Sequence, residues 1–94
     1  MSQQITVADN PAADRYEILV DGERVGLATY RLSGDVVTFV HTEVEPELQG
    51  RGLGGRLIGH ALDEARARGL TVRPLCPFVV DFIERNPAYA DLLA

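Results

Sequence analysis

Apolar and polar positions alternate with a strand-like period through the first half of the chain and switch to a helical period in the second. Residues 5–8 (ITVA) and 16–20 (YEILV) read as strands, separated by a loop that opens on Asn10-Pro11. Asp21-Gly22 follows the second of them and is a strong two-residue hairpin signal. Residues 25–32 (VGLATYRL) read as the partner strand, closed by Ser33-Gly34-Asp35 as a second turn. Residues 36–44 (VVTFVHTEV) are rich in β-branched side chains and carry the pattern of a strand covered on both faces. An antiparallel meander of three or four strands is therefore expected.

Pro46 has no N–H to give a ladder and ends that run. From Gly52 onward, Leu53, Leu57, Ile58, Ala61, Leu62 and Ala65 fall on one side of a helical wheel, with Arg56, His60, Asp63 and Arg66 on the other. Gly69 is the expected stop. Residues 71–76 (TVRPLC) read as a short strand weakened by Pro74, and residues 79–85 (VVDFIER) as a second short helix. Asn86-Pro87 interrupts that helix, and residues 89–93 add a last turn. Strand, loop, helix and strand over 36–76 imply a right-handed crossover, which makes those two strands parallel. The expected fold class is α+β: a mixed antiparallel/parallel sheet with one long helix on a face, in a single domain over residues 1–94.

Composition narrows the partners. A chain of 94 residues holds one domain with a modest core, so a monomer or small homo-oligomer is expected. Its 46% hydrophobic and 24% charged residues are ordinary for a globular protein. The net charge is -5, and the nine basic residues are all arginines scattered along the chain. Without a basic stripe, nucleic acid is not an expected partner. Arginine-favouring codon usage accounts for the missing lysines. Cys76 is alone, so it makes neither an internal disulfide nor a multi-cysteine metal site, and a reducing cytoplasm fits best. MSQQITVADN lacks a basic-then-apolar leader, and no run approaches the ~18 apolar residues of a span, so no membrane partner is expected.

The candidate chemistry starts at QGRGLGG, residues 49–55, where strand gives way to helix. Gly50, Gly52 and Gly55 spell the dinucleotide fingerprint GxGxxG, while Gln49, Arg51, Gly52 and Gly54 spell QxRGxG, the signal of a coenzyme A site. A dinucleotide fold needs a carboxylate ~20 positions on for the ribose, but Thr71, Val72, Arg73 and Leu75 stand there. It also needs further βαβ units, and upstream there is only the meander. A Walker loop needs a lysine that this chain lacks. What remains is a cradle in which backbone N–H groups and a helix dipole hold a pyrophosphate, with Arg51 adding a charge-assisted bond.

VEPELQGRGLGGRLIGHAL resembles the acetyl-CoA motif of the GNAT superfamily of N-acetyltransferases. Taken with HTEV before it and PLCPF after it, nearly the whole chain is similar to small single-domain GNAT-like proteins of this length. The resemblance implies a truncated GNAT-like fold with a β-loop-α-β unit that binds acetyl-CoA (coenzyme A) where the strand before the glycine loop splays from the next parallel strand. By the same resemblance, backbone groups near Glu43, Val44 and Glu45 pair with the pantetheine arm. The pyrophosphate falls to N–H groups from Gln49, Gly50, Arg51, Gly52, Leu53, Gly54 and Gly55.

It also implies a thioester aimed at His41, Glu43 and Cys76. His41 and Glu43 are two apart on a strand and share a face, and either is a base for an amine that must lose a proton before it attacks. Their plainer roles are a packed strand histidine and a solvated carboxylate. Cys76 is a nucleophile, an acid for the departing sulfur, or a small buried hydrophobe. In larger relatives an asparagine near residue 86 contacts the cofactor and a nearby tyrosine acts as general acid, which makes Asn86 and Tyr89 candidates. Small relatives read R-H-P-x-Y where this chain has Arg85-Asn86-Pro87-Ala88-Tyr89, so a titratable group is replaced.

Larger enzymes also continue past the position of Ala94, so the acceptor groove here is expected to be open on one side. It would suit a small-molecule amine or an exposed protein or peptide amine. The functions in competition are an acetyl-CoA-dependent N-acetyltransferase and a coenzyme A- or acyl-CoA-binding module with little turnover.

Overall fold

The computed structural model describes residues 3–94. Five strands form one sheet in the order β1-β2-β3-β4-β5: β1 Ile5–Asn10, β2 Arg15–Val20, β3 Glu23–Ser33, β4 Val36–Val44 and β5 Thr71–Pro74. The first four run antiparallel, and β5 is parallel to β4. The Asp21-Gly22 turn joins β2 to β3 with positive φ at both residues, 50° and 84°, the twist that suits a two-residue hairpin.

Two helices cover one face of the sheet, α1 Leu53–Ala67 and α2 Pro77–Arg85. The six apolar positions of the α1 wheel are all buried. They pack on Tyr16, Ile18, Ala28 and Phe39 from β2, β3 and β4, and Val79 and Ile83 of α2 extend the same core. α1 closes as expected at Gly69, with Leu70 N–H bonded to Ala65 C=O at 2.9 Å and Gly69 N–H to Arg66 C=O at 3.1 Å. Burial pushes the Tyr16 hydroxyl up to about 12.

The other face of the sheet is uncovered, which corrects the expectation that residues 36–44 are buried on both sides. Cross-strand partners share a face, so the register assigns Arg15, Thr29 and His41 to one row, Glu17, Leu27 and Glu43 to the next. These side chains are polar or only part-buried, and Val40 is 42% exposed. β-Branched residues satisfy strand propensity on a wet face as well as a dry one, so composition alone did not separate the two.

β1, β2 and β3 each run one or two residues past their expected bounds, and three elements in the second half of the chain also differ. β5 stops at Pro74, whose missing N–H ends the ladder; Leu75 N–H and Cys76 N–H both turn to Phe39 C=O, at 3.0 and 3.2 Å. α2 begins at Pro77, because proline suits the first helical position, and runs to Arg85 before Asn86-Pro87. The last turn spans Pro87–Leu92, and Leu93 then bridges to Val72 along the outer edge of β5. Among the described residues no helix is long and apolar enough to cross a membrane.

Candidate active site

β4 and β5 pair only from Val36↔Thr71 to Phe39↔Pro74, after which β4 continues to Val44 without its parallel neighbour. A bulge coincides with the parting. Tyr30 pairs with Phe39 and Thr29 with His41, leaving Val40 as the extra residue on β4. Phe39 is buried under the helices, and strict alternation from it would carry His41 and Glu43 into the core as well. The extra residue reverses the phase. Thr42 and Val44, opposite Ala28 and Gly26, now face the helices, and His41 and Glu43 face water.

Beyond the parting, a cavity of about 350 Å³ is lined by Thr42, Glu43, Val44, Leu48, Gln49, Gly50, Leu53 and Phe78. A neighbouring hollow of about 450 Å³, at the end of β3, shares Glu43, Val44 and Gln49 with it. Glu45 N–H turns toward β3 and bonds Val25 C=O at 2.9 Å. The Val44 carbonyl therefore points the other way, into the cleft, where the Gln49 side chain donates to it at 3.1 Å. Gln49 thus ties the strand end to the glycine loop.

The loop ends on Gly52, the N-cap of α1, with φ 76°, and Gly50 is also left-handed at 87°. A glycine N-cap in this conformation has no side chain to cap the helix, and no other described residue does so. Arg56 N–H, bonded to Gly52 C=O at 3.1 Å, makes the first helical bond, so the N–H groups of Leu53, Gly54 and Gly55 precede it and stay open at the cleft. Arg51 and Arg56 are exposed and have no carboxylate partner among the described residues. Open N–H groups and the positive end of the dipole, with exposed arginines at residues 51 and 56, make the start of α1 attractive to an anion.

His41 and Glu43 are brought together, with Nε2 and Oε2 3.0 Å apart and side chains 58% and 61% exposed. Cys76 stands apart from them, at the N-cap of α2 and on the helix side of the sheet. It is 4% exposed, and its Sγ lies 3.5 Å from Thr42 Oγ1. The three side chains expected to converge thus flank the parting from opposite faces.

Residues 15–92 match the family model described as GCN5-related N-acetyltransferase. The chain belongs to that family. Solved structures share the fold: a GCN5-like protein from Staphylococcus aureus matches with TM-score 0.73 and 23% identity over 95% of this chain and 87% of that one. The ribosomal-protein-S18-alanine N-acetyltransferase from Escherichia coli gives 0.70 and 18% over 90% and 76%. N-acetylglutamate synthase from Neisseria gonorrhoeae, complexed with coenzyme A and N-acetylglutamate, gives 0.63 and 21% over 87% of this chain and 22% of that one.

In this member of the family, Asn86 and Tyr89 have partners of their own. Asn86 Nδ2 donates to Phe82 C=O at 2.8 Å and closes the end of α2. Tyr89 stacks on Phe82, ring centroids 5.9 Å apart, and donates to Asp63 Oδ1 at 2.8 Å. That bond holds its hydroxyl above the ordinary tyrosine value. Two residues absent from the sequence expectations also shape the cleft. Thr42 meets Cys76, and Phe78 closes over the start of α1, where a Cβ at Gly54 would lie 2.6 Å from its Cζ. No local signal in the sequence marked either residue.

Proposed function

We propose that the chain is an acetyl-CoA-dependent N-acetyltransferase acting on an amine. The observation that carries this reading is the bulged, parted β4 opening beside an uncapped helix N-terminus. The cradle fits a pyrophosphate by charge and donor direction, from the N–H groups of Leu53, Gly54 and Gly55 with Arg51 and Arg56 beside them. The unpaired edge of β4 beyond Phe39 suits the amide groups of a pantetheine arm. Acetyl-CoA supplies a thioester whose C–S bond breaks as the acceptor nitrogen forms the new C–N bond, the electron pair leaving on sulfur.

His41 is the base: its exposed imidazole takes the ammonium proton, directly or through water, before attack. Glu43, 3.0 Å from it, orients the ring. Cys76, on the opposite wall, is suited to return a proton to the departing sulfur.

The test combines two measurements. Coenzyme A titration by calorimetry reads the cradle, and labelled acetyl transfer to an amine panel reads the chemistry. Binding together with transfer that falls about 100-fold in His41→Gln is expected. Binding without transfer to any amine would make the protein a coenzyme A-binding module, and absence of binding would overturn both readings. Cys76→Ala slowed tenfold or more supports the acid, whereas an acetyl adduct on Cys76 in a mass spectrum would replace that role with a nucleophile's.

A further inference from the structure

The uncovered sheet face is not uniformly polar. Arg31 pairs with Thr38, and Thr38 with Arg73, so the two arginines occupy one row across β3, β4 and β5. Two strand spacings of about 4.8 Å put their backbones about 10 Å apart, within joint reach of one anionic group. Both are exposed, and neither has a carboxylate partner among the described residues, although Arg15, Arg66, Arg68 and Arg85 each have one. Arg24, Arg51 and Arg56 are likewise without one among the described residues, but Arg31 and Arg73 are set side by side across the sheet, where two guanidinium groups can share one carboxylate.

The row lies at the last paired residues before β4 and β5 separate. Past it on β4 comes an exposed aliphatic side chain, the bulged Val40 at 42%, and Leu75, just after the end of β5, is 63% exposed. Further along β4 stand His41 and Glu43. The face therefore leads from the arginine pair past Val40 to the histidine–glutamate pair over roughly 10 to 15 Å of strand.

We infer that this face is the acceptor subsite, and that it takes a small ω-amino carboxylate. Resting on the acetyltransferase reading above, the inference adds which amine is used. The carboxylate lies between Arg31 and Arg73, the methylene chain crosses Val40, and the amine sits beside His41 at the parting. A diamine would place a cation against the two guanidinium groups, and a plain alkylamine would leave them unoccupied.

The test is a calorimetric titration of the protein, with and without coenzyme A, by 5-aminopentanoate, pentylamine, 1,5-diaminopentane and glutarate. The amino carboxylate is expected to bind about tenfold or more tighter than the other three, the loss of a charge-assisted pair being worth that factor. Arg31→Gln/Arg73→Gln should remove that preference. Arg31→Lys/Arg73→Lys should keep part of it, and Arg85→Gln on α2 should keep all of it.

Equal affinity for pentylamine, tighter binding of the diamine, or glutarate binding as well as the amino carboxylate would each overturn the assignment. So would a preference that survives in the double Gln variant. Binding by the amino carboxylate is read without any acetyl transfer, so a protein that takes it but fails to bind coenzyme A would sink the transferase reading and the acceptor role with it, and leave an amino-carboxylate site of another use.

Discussion

Two glycines that look alike in the sequence meet different neighbours. A Cβ at Gly26 would lie 2.9 Å from both the Glu43 carbonyl oxygen and Ile18 Cγ2, and 3.1 Å from Val44 Cγ2. Backbone of β4 and a fully buried isoleucine have no room to yield, so Gly26→Ala should cost about 1 to 3 kcal/mol and lower the urea midpoint. At Gly54 the obstacle is the ring of Phe78, the far end of a side chain that is 39% exposed and free to swing out. Alanine also favours a helix over glycine by about 1 kcal/mol. Gly54→Ala should therefore hold or raise the melting temperature while weakening coenzyme A binding, because Phe78 leaves the wall of the cleft. An unchanged affinity would show that Phe78 only packs. The glycine pattern announced a backbone cradle, which Gly50 and Gly52 build with positive φ. That Gly54 instead admits an aromatic was hidden, because Phe78 arrives from α2, through a fold the local string does not encode.

At the level of elements, the periodic part of the sequence was the legible part. α1 buries each residue its wheel predicted, and the Asp21-Gly22 hairpin fell where a two-residue turn required it. The bulge was not legible, since Val40 is one more β-branched residue in VVTFVHTEV and no local signal marks it as extra. Its effect on the site is nevertheless large, because it keeps His41 and Glu43 out of the core. Deleting Val40 is a clean way to measure it. Phe39 already faces inward and His41 outward, so joining them leaves the pairs Tyr30↔Phe39 and Thr29↔His41 in phase and the core faces intact. The deletion variant should fold with native circular dichroism. It should bind coenzyme A about tenfold or more weakly, because a regular strand loses the bend that parts β4 from β5. Wild-type affinity in that variant would separate the bulge from the cleft.

The whole molecule has one core, one wet face and one seam, and the seam lies at the far edge of β5. There the last turn returns along the sheet: Leu92 is 5% exposed in the core, Leu93 bridges to Val72, and Ala94 N–H bonds Val72 C=O at 3.0 Å. Arg66 fastens the same segment to α1, reaching Asp91 at 2.7 and 2.9 Å and Ala88 C=O at 2.8 Å. A short parallel edge strand left bare is a template for another chain, so this segment does two things at once. It completes the apolar core, and it covers the edge. The two effects come apart in two variants. Leu92→Ala leaves the edge covered and should cost about 2 to 5 kcal/mol as a cavity, with melting that does not depend on protein concentration. Ending the chain after Ala90 should lose at least as much, a large share of the roughly 5 to 14 kcal/mol that a chain of this size has in all. It should also bare β5, so that light scattering reports self-association that grows with concentration. A truncated chain as stable as the full one and monodisperse at high concentration would mean that β4, α1 and α2 hold β5 without the seam. The cleft, which lies at the opposite edge of the parting, would then owe nothing to the last residues of the chain.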